Sequence, residues 1–288
     1  MRQMETVFIR TAEADDYAAY VRLFAELGID QPPFTRDVFL GMAMPLTRVA
    51  VRHGEVVGYC FARPIGARMN VNNVAVAAQA RRLGVGRALL EDARQNALRK
   101  GLTAMELFVK ADNVAAIALY RAQGFSITYE SAALRLTWGQ VQALPLSSAE
   151  TVSEITPGED SALEAAFALP RDSLATSRAT PGAKLLKVCD GRAMARGFAV
   201  FTPSFPGIPR LMADCPSQAF ALVRACHAHR QTEFPADAAA WQKEGLQVMA
   251  PVAGGVVAAF AAQGGHEALR LYRMTANLCD AAGTGAPA

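Results

Sequence analysis

Val74-Ala75-Val76 is followed, four residues on, by Arg81-Arg82-Leu83-Gly84-Val85-Gly86-Arg87-Ala88-Leu89-Leu90, and this stretch decides how the chain is read. A β-branched run ends, and glycines and arginines then open a helix rich in Ala and Leu. The first N–H groups of a helix have no internal partner and sit at the positive end of its dipole, so such a start attracts anions. Gly84 and Gly86 carry no side chain to hold a diphosphate away from those donors, and Arg81, Arg82 and Arg87 place positive charge beside them. The stretch predicts a site for a phosphate-bearing molecule.

Working outward, Val7 to Arg10 reads as a strand, 14–27 and 35–42 as helices, and 47–52 with 56–63 as a hairpin turning at His53-Gly54-Glu55. Asn70 to Val76 is the next strand. Helix 85–101, strand 104–109 and helix 113–123 follow, and Phe125 to Trp138 is expected to supply the last strands of a first domain. Gly139 to Ala149 holds a proline and two serines and reads as a linker. The element order then starts again. Ala122-Gln123-Gly124 matches Ala262-Gln263-Gly264, and Ala133-Leu134-Arg135-Leu136 echoes Ala268-Leu269-Arg270-Leu271, which points to a duplicated domain.

Composition sets bounds. A chain of 288 residues with 52% hydrophobic and 19% charged residues is long enough for two folded domains. The net charge of +3 is too small for a nucleic-acid surface, and what excess there is lies in residues 1–146, with 17 Lys and Arg against 13 Asp and Glu. The longest apolar windows are short and Gly-interrupted, so no membrane span is expected. Five scattered cysteines (60, 189, 215, 226, 279) without a CxxC pair predict neither a disulfide framework nor a metal site. A reducing cytoplasmic setting is expected. Arginine outnumbers lysine and alanine is abundant, a bias typical of GC-rich bacterial genomes.

A lone Gly-x-Gly is equally a plain turn with solvated arginines. A dinucleotide fingerprint is excluded, because Leu89 stands at its third small position and the loop lies too far from the strand. A second segment decides between the remaining readings. Asn113-Val114-Ala115-Ala116-Ile117-Ala118-Leu119-Tyr120-Arg121-Ala122-Gln123-Gly124-Phe125 resembles the Asn-x-x-Ala-x-x-Leu-Tyr-x-x-x-Gly-Phe segment of the GCN5-related N-acetyltransferase (GNAT) family. Arg81 to Gly86 resembles that family's Arg-x-x-Gly-x-Gly loop. The resemblance covers roughly residues 5–138.

What the resemblance implies is an α/β fold with a mixed, mostly antiparallel central sheet flanked by helices, here in tandem. Residues 1–140 are expected as the acetyltransferase domain, 141–150 as linker and 151–288 as a degenerate copy without a cofactor site. Acetyl-CoA is the implied co-substrate, and no metal is expected. Val74 and Val76 would pair with its pantetheine amides. Arg81, Arg82, Leu83, Gly84, Val85, Gly86, Arg87 and Ala88 would hold its pyrophosphate. Asn113 would bond the cofactor arm, or serve only as a helix cap. Tyr120, on about the same helix face, would act as general acid on the leaving thiolate, or serve only as a core aromatic. The acceptor is a primary amine on a small molecule or peptide. The base is unassigned: Asn70-Val71-Asn72-Asn73-Val74 holds no carboxylate, and Glu26, Asp30 and His53 are remote candidates more simply read as solvated. A non-catalytic acyl-CoA-binding or sensing module is the alternative, and the chain is expected to be a monomer or homodimer.

The second half lacks the corresponding chemistry. Asn113 aligns with Ala253 and Tyr120 with Phe260, and Cys215-Pro216-Ser217-Gln218-Ala219 stands where the glycine loop would be. Pro216 removes one donor from that helix start. His227 and His229 are two apart on a helix and are not expected to share a metal.

Overall fold

A computed structural model describes residues 7–29, 32–191, 194–202, 207–230 and 243–278. The chain divides into two compact units, the first made of Met1–Val109, Asn113–Thr128 and Arg273–Ala288, the second of Lys110–Asp112 and Tyr129–Tyr272. Each unit carries a mostly antiparallel sheet flanked by helices, the α/β architecture expected.

In the first unit β1 (Phe8–Thr11), β2 (Thr47–Arg52), β3 (Glu55–Ile65), β4 (Arg68–Val76) and β5 (Ala104–Lys110) are neighbours in that order, antiparallel except for the parallel pair β4–β5. Helix α1 (Tyr17–Phe24) opens after Asp16, which takes two hydrogen bonds from Arg10 on β1, at 2.6 and 2.9 Å. The expected second helix is shorter than its span: α2 (Arg36–Val38) runs into a π-helical turn, Phe39–Ala43. Helix α3 (Val85–Arg99) buries Val85, Leu89, Leu90, Ala93 and Ala97, a stripe at helical spacing that faces the sheet. Full burial of each leucine contributes about 1.5–3 kcal/mol. Helix α4 (Val114–Ala122) returns, and its last carbonyls are held from α3 by Arg94, whose Nη2 donates to Gln123 O at 2.6 Å.

Phe125 to Trp138 differs from the expectation of several closing strands. It is one 12-residue strand, β6 (Ser126–Thr137). The first unit is completed instead by residues 273–277, which lie between β5 and residues 126–128. Leu278 N donates to Thr103 O at 2.9 Å, and Thr128 Oγ1 to Arg273 O at 3.4 Å.

In the second unit Ser131–Thr137 of β6 pair antiparallel with residues 245–251. Helix α5 (Trp138–Ala143) follows, closed by a Thr137/Gln140 capping box. Val141 and Leu144 are fully buried with Leu136, Phe220 and Phe260, so the stretch read as a linker carries a helix and two core residues. The polar lettering of 139–149 hid this, because a single apolar residue per turn was enough to anchor it. Then come β7 (Thr151–Glu154), α6 (Asp160–Ala166), α7 (Ser173–Arg178), β8 (Lys184–Cys189), β9 (Ala195–Thr202), β10 (Gly207–Ala213), α8 (Pro216–His227), β11 (Gly245–Pro251), α9 (Val256–Ala262) and β12 (His266–Asn277), whose residues from Arg273 on belong to the first unit. The β10–β11 pair is parallel, as β4–β5 is in the first unit. β6 and β12 stand 140 residues apart, the offset of the sequence repeat.

Candidate active site

The first unit opens a fork in its sheet. β4 and β5 pair over Arg68–Val71 against Ala104–Leu107, and Asn73 to Val76 continue with β3 alone. The register against β3 steps from Phe61↔Asn73 to Ala62↔Val71, so Asn72 is an extra residue, a β-bulge at the crotch of the fork. Bulges bend a strand and re-aim its groups. Backbone groups of β4 beyond the bulge therefore face an opening where an extended ligand can add as a strand does.

At the open end stands the glycine loop. Arg82 and Gly84 both take left-handed backbone, at φ 63° and 83°. The turn they make ends in Gly84 as N-cap of α3, with no side chain capping the helix start. Val85 contributes only its N–H, since its side chain is in the core. A Cβ on Gly86 would lie 3.0 Å from Leu119 Cδ2 of α4 and 3.8 Å from Val76 Cγ2, so a glycine here lets α3, α4 and β4 converge. A cradle of open N–H donors, closely approached by strand and helix, fits a diphosphate followed by an amide-bearing arm.

The three arginines divide their labour. Arg81 is spent within the protein: its Nη2 lies 2.6 Å from Glu26 Oε2 and its Nε donates to Val76 O at 3.2 Å. Sequence reading gave it phosphate charge to supply, whereas its head ties the loop to the end of the first helix and to the fork strand. Arg82 and Arg87 are exposed and have no partner among the described residues.

Asn113 caps α4, its Oδ1 accepting from Ala116 N at 3.1 Å, which leaves its amide N–H groups to donate elsewhere. Tyr120 is 8% exposed, with its ring 5.9 Å from that of Phe125. Desolvation, and then the nearby Cys60 thiol, push its phenol up to about 12. Its chain neighbour Leu119 and Val76 of β4 both close on Gly86, which brings this part of α4 to the fork strand. A phenol so raised stays protonated at neutral pH and can donate to a developing thiolate.

Of the remote base candidates, Glu26 is taken by Arg81, His53 sits in the β2–β3 turn at φ 52°, and Asp30 lies outside the described residues. Glu106 escaped the sequence reading. It shares a row with Asn70 and Arg63 across three strands, and Arg68 Nη1 donates to its Oε2 at 2.9 Å. The available signal was one carboxylate in an otherwise apolar strand, Ala104 to Val109.

A family model described as the acetyltransferase (GNAT) family matches residues 10–125. Those residues belong to the GNAT family. Over 75 residues the chain is 33% identical to the [ribosomal protein bS18]-alanine N-acetyltransferase of Escherichia coli (strain K12), a match spanning 26% of this chain and 51% of that protein. The chain thus spans about half the length of the curated relatives it matches. The whole fold is similar to a GCN5-related N-acetyltransferase from Sphaerobacter thermophilus, with TM-score 0.63 and 16% identity over 94% of this chain and 96% of that one. It is also similar to a tandem GNAT protein from the clavulanic acid biosynthesis pathway, with TM-score 0.57 and 17% identity over 95% and 99%.

Where the GNAT loop would recur in the second unit, the chemistry differs. β10 and β11 pair in parallel over 207–208 against 247–248, and α8 starts after Cys215 with Pro216 in its first turn. The chain supplies its own anion there: Ser217 Oγ donates to Glu150 Oε1 at 2.5 Å, and Asp214 N donates to Gln218 Oε1 at 3.0 Å. Phe260 is fully buried, and Ala253 opens a short turn before α9. His227 packs its ring against Trp138. Among the described residues no three His, Cys, Asp or Glu side chains are grouped to hold a metal, and no helix is long and apolar enough to cross a membrane.

Proposed function

We propose that this chain is an acetyl-CoA-dependent N-acetyltransferase that acetylates a primary amine of a small molecule or peptide. The observation that carries the reading is the fork: a bulged strand leaves its partner at Asn72, an uncapped glycine-bearing helix start lies at the open end, and α4, which bears Tyr120, packs its Leu119 against that start. In this reading the backbone of Val74 and Val76 pairs with the pantetheine arm. The N–H groups from Arg82 to Arg87 hold the diphosphate, with Arg82 and Arg87 adding charge; the Ala88 N–H, expected to join them, instead donates to Gly84 O at 2.9 Å as the first bond of α3. Asn113 donates to the arm. The amine attacks as its free base, forming the C–N bond while backbone N–H groups at the bulge receive the charge on the carbonyl oxygen; the C–S bond then breaks with Tyr120 protonating the departing sulfur, and the proton shed by the nitrogen returns to the phenolate through solvent, giving amide and free thiol. Residues 151–288 are a copy that binds no cofactor, with Glu150 standing where a phosphate would otherwise be drawn.

The test is release of free thiol from acetyl-CoA by the full-length chain with a panel of amines. Thiol release that falls in Tyr120→Phe supports the reading. Binding of acetyl-CoA with no release for any amine would favour an acyl-CoA-sensing module. A thermal shift with NADH but none with CoA would overturn both. The full chain is required, because a fragment ending near residue 142 lacks residues 273–277 of the first unit.

A further inference from the structure

Beside the fork lies a cluster that the proposed chemistry does not use. Tyr59 on β3 sets its ring 5.3 Å from that of Tyr20 on α1, so Tyr59, Phe61 and Arg63 face the α1 side by strand alternation. α3 covers the other face, where Met69, Val71, Met105 and Leu107 are buried. On the α1 side, Arg63, Asn70 and Glu106 form one row across β3, β4 and β5, the last complete row on that face before the fork opens. Arg68 is a diagonal neighbour of Arg63 across the β3–β4 pair, within reach for two long side chains. Arg273 Nε lies 3.9 Å from Glu106 Oε2. Two guanidinium groups thus approach one carboxylate, and Arg63 stands two strands away in the same row.

Glu106 takes one hydrogen bond from Arg68, at 2.9 Å. Arg63 is exposed and has neither hydrogen bond nor ion pair among the described residues. The row is two residues from Asn72, about 7 Å of strand. On the face opposite α3, this row therefore borders the fork. Phe61, paired with Asn73 and with its ring 5.8 Å from that of Phe34, supplies an apolar wall on the same approach.

We infer that the acceptor amine carries a carboxylate, and that Arg63 and Arg68 hold it while the amine reaches the fork. The inference rests on the acetyltransferase reading. Guanidinium forks match carboxylates in a geometry that ammonium groups do not, and a site with more guanidinium than carboxylate disfavours polyamines. Glu106 orients Arg68 through the hydrogen bond that its Oε2 accepts.

The test uses the full-length protein with matched acceptors that differ only in the carboxylate: an amino acid and its decarboxylated amine, for several side chains. Thiol release gives kcat/KM for each. The expectation is a preference of about tenfold or more for the carboxylate-bearing member, expressed mainly in KM. In Arg63→Gln and Arg68→Gln that ratio should collapse to about twofold or less. A ratio near one in the unaltered enzyme, or variants that slow both members equally, would overturn it. Separate titration of acetyl-CoA distinguishes the two failures: an active enzyme indifferent to the carboxylate refutes only the acceptor, whereas absence of thiol release refutes the enzyme reading.

Discussion

The Nη2 of Arg81 lies 2.6 Å from the Oε2 of Glu26, joining the glycine loop to the short turn that ends the first helix. Both side chains are partly exposed, so the pair itself is worth about 0.2–1 kcal/mol. Its value is positional, because the same guanidinium also holds Val76 O. Arg81→Gln should therefore raise the acetyl-CoA KM by an amount that salt hardly alters. Arg87→Gln, which removes an unpaired charge, should weaken binding most at low ionic strength. Acetyl-CoA titrations at two salt concentrations separate the two behaviours.

Gly84 holds φ at 83°, where an L side chain costs about 1–2 kcal/mol. Gly84→Ala has open space for its methyl, so the protein should fold with a slightly lowered Tm while the loop relaxes away from its N–H-presenting turn. The expected result is a rise in acetyl-CoA KM larger than the change in kcat. Unchanged KM would mean that the turn does not shape the cofactor site.

Tyr120→Phe keeps the ring in the core and removes the donor. A loss of about 10²–10⁴ in kcat is expected, the usual contribution of a positioned acid. With the phenol up at about 12, the unaltered enzyme should show no alkaline fall in kcat below about pH 11 from this group. A descending limb near pH 9 that disappears in Tyr120→Phe would contradict the raised titration of the phenol, and a full kcat in Tyr120→Phe would contradict its role.

The same burial has a consequence for stability. A tyrosine titrates near 10 in the unfolded chain and about 12 here. The folded state thus holds its proton longer, and the resulting stability is fully present below about pH 10 and is lost as pH rises toward 12. Cys60, pushed up by burial to about 12, acts in the same direction. Thermal melts between pH 8 and 11 should show Tm falling, less steeply in Tyr120→Phe.

Much of the first unit was legible because its signals are local. Val74 to Ala88 announces a strand, a turn and a helix by residue type alone, and Asn113 marks a helix start three residues from the N–H it caps. What was illegible depends on partners distant in sequence. Nothing in Arg81 says that its charge is spent on a residue 55 positions away, and nothing in Glu106 says that a strand 36 residues earlier brings Asn70 beside it. The continuous β6 was missed for the same reason: its length is set by two different neighbours, 273–277 at one end and 245–251 at the other.

Residues 273–277 carry a consequence for the order in which the protein comes into being. The unit that bears the fork is assembled from both ends of the chain, so synthesis of its first 128 residues leaves a gap beside β5. The ribosome must translate the whole second unit before that gap can be filled. Until then the emerging chain exposes an unpaired strand edge, a template for unwanted pairing. The unit that bears the fork is thus finished only after the unit that interrupts it.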